Sequence, residues 1–301
     1  ARGFGGGSSM KVLVTGAFGF FGIPLLRRLV GEGCEVVAWG HSPRSPAAMA
    51  AVPADVKIVE GDVVDGPFPP HFDLDAIVHL AGGGGPKEAA ARPILAVRTG
   101  VIGTQRIVDL GGICGGVRRT IFASSIYVYP PHEGLCTEWT PTAPETLYGA
   151  IKEAGEAMMK AAGGVILRFA HLYGPSPIRL DSVMDRFAQA TAAGWPLLVH
   201  GRGTHPMDLL HIDDACEAVV ATLHTERPPA IVNVGGEVAT TLQLAQWCAA
   251  IGNGRIQTGE IEDGGDPRRW LDSSLAAKAL HWTPKIPLRE GVESFVRGIH
   301  P

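Results

Sequence analysis

Tyr148 and Lys152 stand four residues apart in the segment Leu147-Tyr148-Gly149-Ala150-Ile151-Lys152, and at helical pitch they share a face. That pairing suits proton transfer. A phenol of ordinary pKa about 10 is a poor base at neutral pH, and a nearby ammonium favours its phenolate. Upstream, the strand-like run Thr120–Ala123 leads into Ser124 and Ser125. A hydroxyl from Ser125 can hold a substrate oxygen while Tyr148 moves its proton and Lys152 lowers the phenol's pKa. Ser125, Tyr148 and Lys152 are the candidate catalytic residues for hydride exchange between a nicotinamide and a secondary alcohol or ketone.

Such a set needs a dinucleotide beside it, and the stretch Lys11 to Leu29, KVLVTGAFGFFGIPLLRRL, is built to hold one. Val12, Leu13 and Val14 read as a strand buried on both faces, and Ile23, Leu25, Leu26 and Leu29 as an amphipathic helix. Gly16, Phe18, Gly19, Phe20 and Gly22 make the turn between them. Gly16 allows the tight turn, Gly19 removes a side chain that would block a phosphate, and Gly22 lets the helix lie close to the strand. The N–H groups of the first helical turn then point at the anion.

The second strand, Glu35 to Trp39, ends in Gly40 where a carboxylate usually takes the adenosine ribose hydroxyls. His41, Ser42 and Arg44 follow, a set suited to a 2′-phosphate, so the cofactor reading is NAD(P) with a lean to NADP. A third strand, Val56 to Glu60, precedes Asp62 and Val63, where a carboxylate can meet the adenine amino group. A fourth, Ala76 to Leu80, ends in Ala81 and a run of glycines. Leu80, Ala81 and Gly82 thereby bring backbone close to the cofactor. Apolar spacing predicts a helix over 94–110 and another from Tyr148 to about Ala162. Strand and helix alternate throughout, which argues for an α/β fold of Rossmann type, a doubly wound parallel sheet covered on both faces.

The chain's 301 residues are 46% hydrophobic, enough for one large core or two closely joined domains. A formal net charge of −4 leaves no electrostatic footprint for nucleic acid or acidic membranes. No apolar run reaches the ~18 residues of a membrane span. The cysteines (Cys34, Cys114, Cys136, Cys216 and Cys248) are scattered, as expected of free thiols in a reducing cytoplasm. His200, His205 and His211 are not at a metal-ligand spacing, and no metal is expected. Met10 directly precedes the first strand, so residues 1–9 are read as a leader outside the fold.

Taken together, these motifs resemble the extended short-chain dehydrogenases/reductases, in the branch of nucleotide-sugar epimerases and dehydratases. The resemblance covers residues 10–298. It rests on Thr15 to Gly22, Gly61-Asp62-Val63, His79-Leu80-Ala81, Gly103-Thr104, Ser124-Ser125, Tyr148 with Lys152, and Leu167-Arg168. Leu172 to Pro175, His211 to Asp214, Asn233-Val234-Gly235 and Trp282-Thr283-Pro284 complete it. It implies that Ser125, four before Tyr129, is the catalytic hydroxyl and Ser124 its neighbour at the substrate. Phe169, Ala170 and His171 would lie beside the nicotinamide and substrate. A homodimer through helices within 88–110 and 146–162 is implied as well. Residues 10–171, continued by 206–235, are expected to bind the dinucleotide. Residues 172–205 and 236–301 are expected to form a smaller, discontinuous substrate lobe.

The departures narrow the activity. Dehydratases of this family carry an Asp-Glu pair after the catalytic hydroxyl, and the decarboxylating branch wants a Glu there. Ile126 and Tyr127 stand in those places, which disfavours both. The family's Arg-Asp-Phe-hydrophobic-His segment reads Met207-Asp208-Leu209-Leu210-His211. A second clamp Arg is replaced by Asp263, and the usual Asn before Tyr-Gly-Pro is His171. Each lost guanidinium contact to a diphosphate removes roughly 1.5–3 kcal/mol. Arg179, Arg202, Arg268 and Arg269 are the candidates to replace them.

The resulting expectation is an enzyme that moves hydride at a secondary alcohol or ketone carbon of a sugar-like, polyhydroxylated substrate. A nucleotide-sugar 4-epimerase with retained NAD is the alternative. A dinucleotide-sensing protein without catalysis is a remote one, since it has no need of Ser125, Tyr148 and Lys152 together.

Overall fold

The computed structural model describes residues 9–41, 45–69, 73–82, 84–131, 134–252, 254–259 and 269–299. Ser42, Arg44, Asp263 and Arg268 lie outside the described residues. The chain begins by alternating strand and helix: β1 (Lys11–Thr15), α1 (Gly22–Gly31), β2 (Glu35–Gly40), α2 (Pro46–Ala50), β3 (Lys57–Glu60) and β4 (Ala76–His79). Next come α3 (Pro86–Ala91), α4 (Pro93–Val97), a π-helical turn over Arg98–Ile102, α5 (Gly103–Ile113) and β5 (Arg119–Ser125). After the short β6 (Leu135–Cys136) follow α6 (Leu147–Ala161), β7 (Val165–Phe169), β8 (His171–Tyr173), α7 (Val183–Ala193), β9 (Leu197–Val199) and β10 (Pro206–His211). The chain closes with α8 (Ile212–His224), β11 (Ile231–Val234), β12 (Glu237–Thr240), α9 (Thr241–Gly252), β13 (Ile256–Thr258), β14 (Trp270–Leu271), α10 (Ser274–Ala279) and α11 (Leu288–Ile299).

Seven parallel strands form the main sheet in the order β11-β7-β5-β4-β1-β2-β3. The order turns back at β1, and the crevice beyond the carboxyl ends of β1 and β4 is the usual ligand site of such a sheet. The unbroken apolar run of β1 is explained by its two burials. Val12 and Val14 face Leu25, Leu26 and Leu29 of α1, and Leu13 faces Ile107 and Leu110 of α5 on the other side. Each such fully buried side chain contributes about 1.5–3 kcal/mol.

The apolar pattern over 94–110 is helical but not one regular helix. Its middle turn is π-helical, and Gly100 within it lies where a Cβ would collide with Ile151 of α6. The glycine lets this turn press on the helix that carries Tyr148.

A separate apolar core joins Tyr173, Met184, Phe187, Leu244, Val292 and Phe295 from β8, α7, α9 and α11. Beside it β10 pairs with β8 and β12 in a three-stranded sheet of its own. The sequence grouped 206–211 with the dinucleotide-binding part, whereas β10 stands between the two cores. Leu210 belongs to the main core and its neighbour Leu209 to the smaller one. Alternation along one strand thus ties the two bodies together. Among the described residues no helix is long and apolar enough to cross a membrane, and all five cysteines are free.

Candidate active site

The turn after β1 has the shape a pyrophosphate requires. Gly16 adopts φ +64°, and a Cβ there would come within 2.6 Å of the Ala81 nitrogen at the end of β4. A Cβ on Gly22 would lie 2.3 Å from the Ala17 oxygen, so α1 can begin only with glycine at that contact. Gly19 meets nothing closer than the Gly16 oxygen at 3.2 Å, which leaves its outer side open to a ligand. Phe20 is buried, and its carbonyl accepts from the Ser176 hydroxyl at 2.9 Å. Phe18 packs beside Gly40 at the end of β2. No acidic residue stands in the first turn of α1 to oppose an anion.

A buried relay joins the two strand ends that frame this turn. The His79 ring receives the Thr15 hydroxyl at Nδ1 (2.6 Å) and gives Nε2–H to Thr104 (3.0 Å), whose own hydroxyl donates to the Gly100 carbonyl (2.6 Å). The last bond assigns the direction, since a carbonyl only accepts. Burial and then the Lys152 charge drop the His79 pKa to about 3, so the ring stays neutral. At the edge of the sheet Asp62 accepts from the Val64 amide at 2.7 Å and faces the exposed His41 ring at 3.4 Å. Val63 is buried against α5, where a Cβ on Gly103 would touch it.

Beyond β5 the three candidate catalytic side chains converge. Thr146 caps α6 by accepting the Gly149 amide at 3.0 Å, which sets the first turn on which Tyr148 sits. A Cβ on Gly155 would strike the Phe122 ring at 2.5 Å, so the helix lies unusually close to β5. Tyr148 is hydrogen-bonded to Ser125. The Lys152 ammonium donates to the Ala123 carbonyl at 2.7 Å.

The electrostatics differ from the sequence expectation. Burial pushes the Tyr148 phenol up to about 12, with Ser125 opposing, and burial lowers Lys152 to about 8, with Glu156 opposing. With the Lys152 Nζ 5.7 Å from the Tyr148 ring centroid, burial still leaves the net shift of the phenol upward. Tyr148 holds its proton at neutral pH.

Ser124 is a correction. Consecutive strand residues point to opposite faces, and while Ser125 turns to Tyr148, Ser124 is 4% exposed and donates to Glu156 at 2.5 Å. It belongs to a buried network and not to a substrate surface. Glu156 extends the Tyr148–Lys152 stripe by one more turn. It takes two bonds from Arg168, at 2.9 and 2.6 Å. Arg168 in turn donates to the Tyr129 hydroxyl at 2.7 Å, which bonds Asn233 at 2.8 Å. The spacing of four could have revealed Glu156 from sequence. Arg168 could not be found that way, because it comes from another strand.

His171 on β8 enters the cleft and meets Tyr127, which by its sequence alone cannot do the acid or base work of an eliminating carboxylate. The rings stand edge to face, 5.5 Å apart, and Tyr127 stands likewise 5.8 Å from Tyr148. Arg269, 3% exposed, lies over the Tyr127 ring at 5.0 Å and donates to the Tyr129 carbonyl. Asp208 holds the strand that directly follows Arg269, accepting from the Leu271 and Gly236 amides at 2.8 Å each. Phe169 is buried edge to face on Phe21, 5.2 Å away, beneath the glycine turn.

Two of the expected substrate arginines are elsewhere. Arg179 turns to Asp185 at 3.3 Å and to the Phe295 ring, in a groove of about 720 Å³ shared with Arg27, His211, Asp213 and Glu290. Arg202 sits exposed on the turn after β9. Of the candidates among the described residues, Arg269 reaches the cleft.

A nucleotide cradle at the switch point of a parallel sheet, with Ser, Tyr and Lys converging beside it, defines a short-chain-type oxidoreductase. The family model for NAD dependent epimerase/dehydratase proteins matches residues 12–235, and the chain belongs to that family. It is 29% identical over 307 residues to the UDP-glucose 4-epimerase of Mycolicibacterium smegmatis, covering 95% of this chain and 97% of that protein. It is 27% identical to the dTDP-glucose 4,6-dehydratase of Streptomyces griseus, over 96% and 94%. A crystal structure of the UDP-glucuronic acid 4-epimerase of Bacillus cereus, in complex with UDP-glucuronic acid and NAD, superposes with a TM-score of 0.87 at 25% identity. It covers 96% of this chain and 99% of that one.

Proposed function

We propose that this enzyme moves hydride, with NAD(P), at a secondary alcohol or ketone carbon of a sugar substrate, with Tyr148 as the acid/base. The observation that carries the reading is the convergence of Ser125, Tyr148 and Lys152 at the end of β5, next to the Gly16–Gly22 turn. The residues fit the cofactor: Gly16, Gly19 and Gly22 leave room for a pyrophosphate, and Gly82 leaves room for Lys152, since a Cβ there would meet its Nζ at 2.6 Å. A bound nicotinamide supplies the hydride acceptor or donor. Ser125 holds the substrate oxygen, and Tyr148, protonated at neutral pH, gives that oxygen a proton as a ketone is reduced. In the opposite direction the phenol must first lose its proton, and the Lys152 ammonium, 5.7 Å from the centroid of its ring, is the charge that favours this.

NADP is the proposed preference. It is supported by the absence of a carboxylate at the end of β2 and by the position of His41, whereas the solved relative described above contains NAD. A second reading, a nucleotide-sugar 4-epimerase that retains NAD, is favoured by the similarity to the two 4-epimerases. A cytoplasmic homodimer is also proposed, on the exposed apolar side chains Ile94, Leu95, Val97, Ile102 and Leu147 along α4, the π turn and the start of α6. Mass spectrometry of the dinucleotide released on denaturation tests the cofactor reading. Stoichiometric NAD selects the epimerase. An empty protein that binds NADPH more tightly than NADH selects the reductase, and a protein that holds neither overturns both.

A further inference from the structure

Tyr127 is clamped into the cleft from both sides of its backbone. Its amide donates to Ser125 Oγ at 3.3 Å, and its carbonyl lies 2.2 Å from where a Cβ on Gly149 would be. The residue is thereby held to the first turn of α6, and its ring meets the Tyr148 ring edge to face. Its hydroxyl lies 3.3 Å from His171 Nε2, while His171 Nδ1 lies 3.0 Å from the Asp208 carbonyl oxygen. A carbonyl only accepts, so Nδ1 carries the proton of the neutral ring, and Nε2 is left as the acceptor for the Tyr127 hydroxyl. Two phenols thus border one cleft. Tyr148 is paired with a serine and Tyr127 with an imidazole base.

We propose that Tyr127, backed by His171, is a second proton-transfer pair of this cleft, acting on the carbon next to the ketone that forms at Tyr148. The proposal rests on the hydride-transfer reading for its ketone. That ketone makes the neighbouring C–H acidic, and adjacent ring carbons are only about 1.5 Å apart, so one substrate ring can face both phenols. The C–H bond breaks and its electron pair enters the C–C bond of an enolate, whose oxygen is held by Tyr148 and Ser125. The proton passes to the Tyr127 oxygen as the Tyr127 hydroxyl proton passes to His171 Nε2. The reverse step returns a proton to the same carbon, so no oxidant, reductant or leaving group is consumed. The consequence is exchange of that hydrogen with solvent, with the configuration of the carbon kept because the proton returns from the same side.

Two readouts test it. In long-range 1H–15N spectra of the full-length protein, with the signal assigned through His171→Gln, His171 should show a protonated Nδ1 and an unprotonated Nε2. The Nε2 shift should move in Tyr127→Phe. A protonated Nε2, or a signal that ignores Tyr127→Phe, overturns the pair without reference to any substrate. In D2O with added NAD and either UDP-glucose or UDP-glucuronic acid, deuterium should appear at the carbon next to the reacting carbinol. The deuterium gained per hydride moved should fall at least tenfold in Tyr127→Phe. Hydride transfer without deuterium in the unaltered enzyme overturns the catalytic role. Absence of hydride transfer with both sugars counts against them as substrates in the hydride-transfer reading, and the nitrogen spectrum then decides the pair by itself.

Discussion

The Lys152 ammonium is bonded to the Ala123 carbonyl at 2.7 Å, within β5 and two residues before the serine that holds the phenol. The cation of the site is thus anchored to the strand, with the Tyr148 ring centroid 5.7 Å away. Because burial lowers its pKa to about 8 from an ordinary value near 10.5, the folded protein binds this proton less tightly than the unfolded chain does. Holding the buried charge costs stability below about pH 8, and that cost is relieved as pH rises from 8 towards 10.5. Lys152→Met should therefore lose hydride transfer by a factor of about 10²–10⁴. Its melting temperature relative to the unaltered protein should fall between pH 7 and 9.5. A relative melting temperature that stays constant over that range would contradict the assignment.

Tyr148→Phe removes the transferable proton and little else, since the ring keeps its contacts with Tyr127. Turnover followed by nicotinamide absorbance should fall by about 10²–10⁴, with the dinucleotide still bound. A variant that turns over normally would show that another group carries the proton.

Glu156→Gln leaves the Arg168 guanidinium buried beside a neutral partner, since Glu156 and Arg168 side chains are 7% and 4% exposed. Breaking such a pair costs about 3–5 kcal/mol. The urea midpoint should drop accordingly. The double change Glu156→Gln with Arg168→Met should recover much of the loss, because no unpaired charge is then left inside. If the double variant is no more stable than the single, charge burial is not the cause.

His79 supplies an acid limit to stability. Its pKa falls from 6.5 to about 3 on burial, so between those values the unfolded chain takes up a proton that the native ring refuses. Stability from this group is complete above pH 6.5 and is lost progressively as pH falls towards 3. His79→Gln keeps a side chain able to bond Thr15 and Thr104 but does not titrate. Its stability should be lower at pH 7, yet flatter between pH 6.5 and 4.5, when both proteins are compared by urea denaturation.

Much of this was legible in the chain itself because it is local. The β1–α1 glycine turn is a property of the consecutive residues Gly16–Gly22, and the Tyr148–Lys152 face follows from helical pitch. The doubly buried run of β1 announces a parallel sheet before any partner strand is known. The same periodicity extends the catalytic stripe to Glu156, and strand alternation separates Ser124 from Ser125 once β5 is seen to continue through both.

Packing decided the rest, since it joins residues far apart in sequence. Tyr127 and His171 are 44 positions apart, and Tyr127 gains a proton partner only because β8 follows β7 out of the main sheet towards β10. Arg179, Arg202 and Arg269 are equivalent cations in sequence. Of these, Arg269 is carried into the cleft, directly before the strand that Asp208 holds. The state of the Tyr148 and Lys152 protons also depends on tertiary structure. A spacing of four brings the two groups near one another, but the water excluded around them, with Glu156 beside Lys152 and Ser125 on Tyr148, sets which of them keeps its charge.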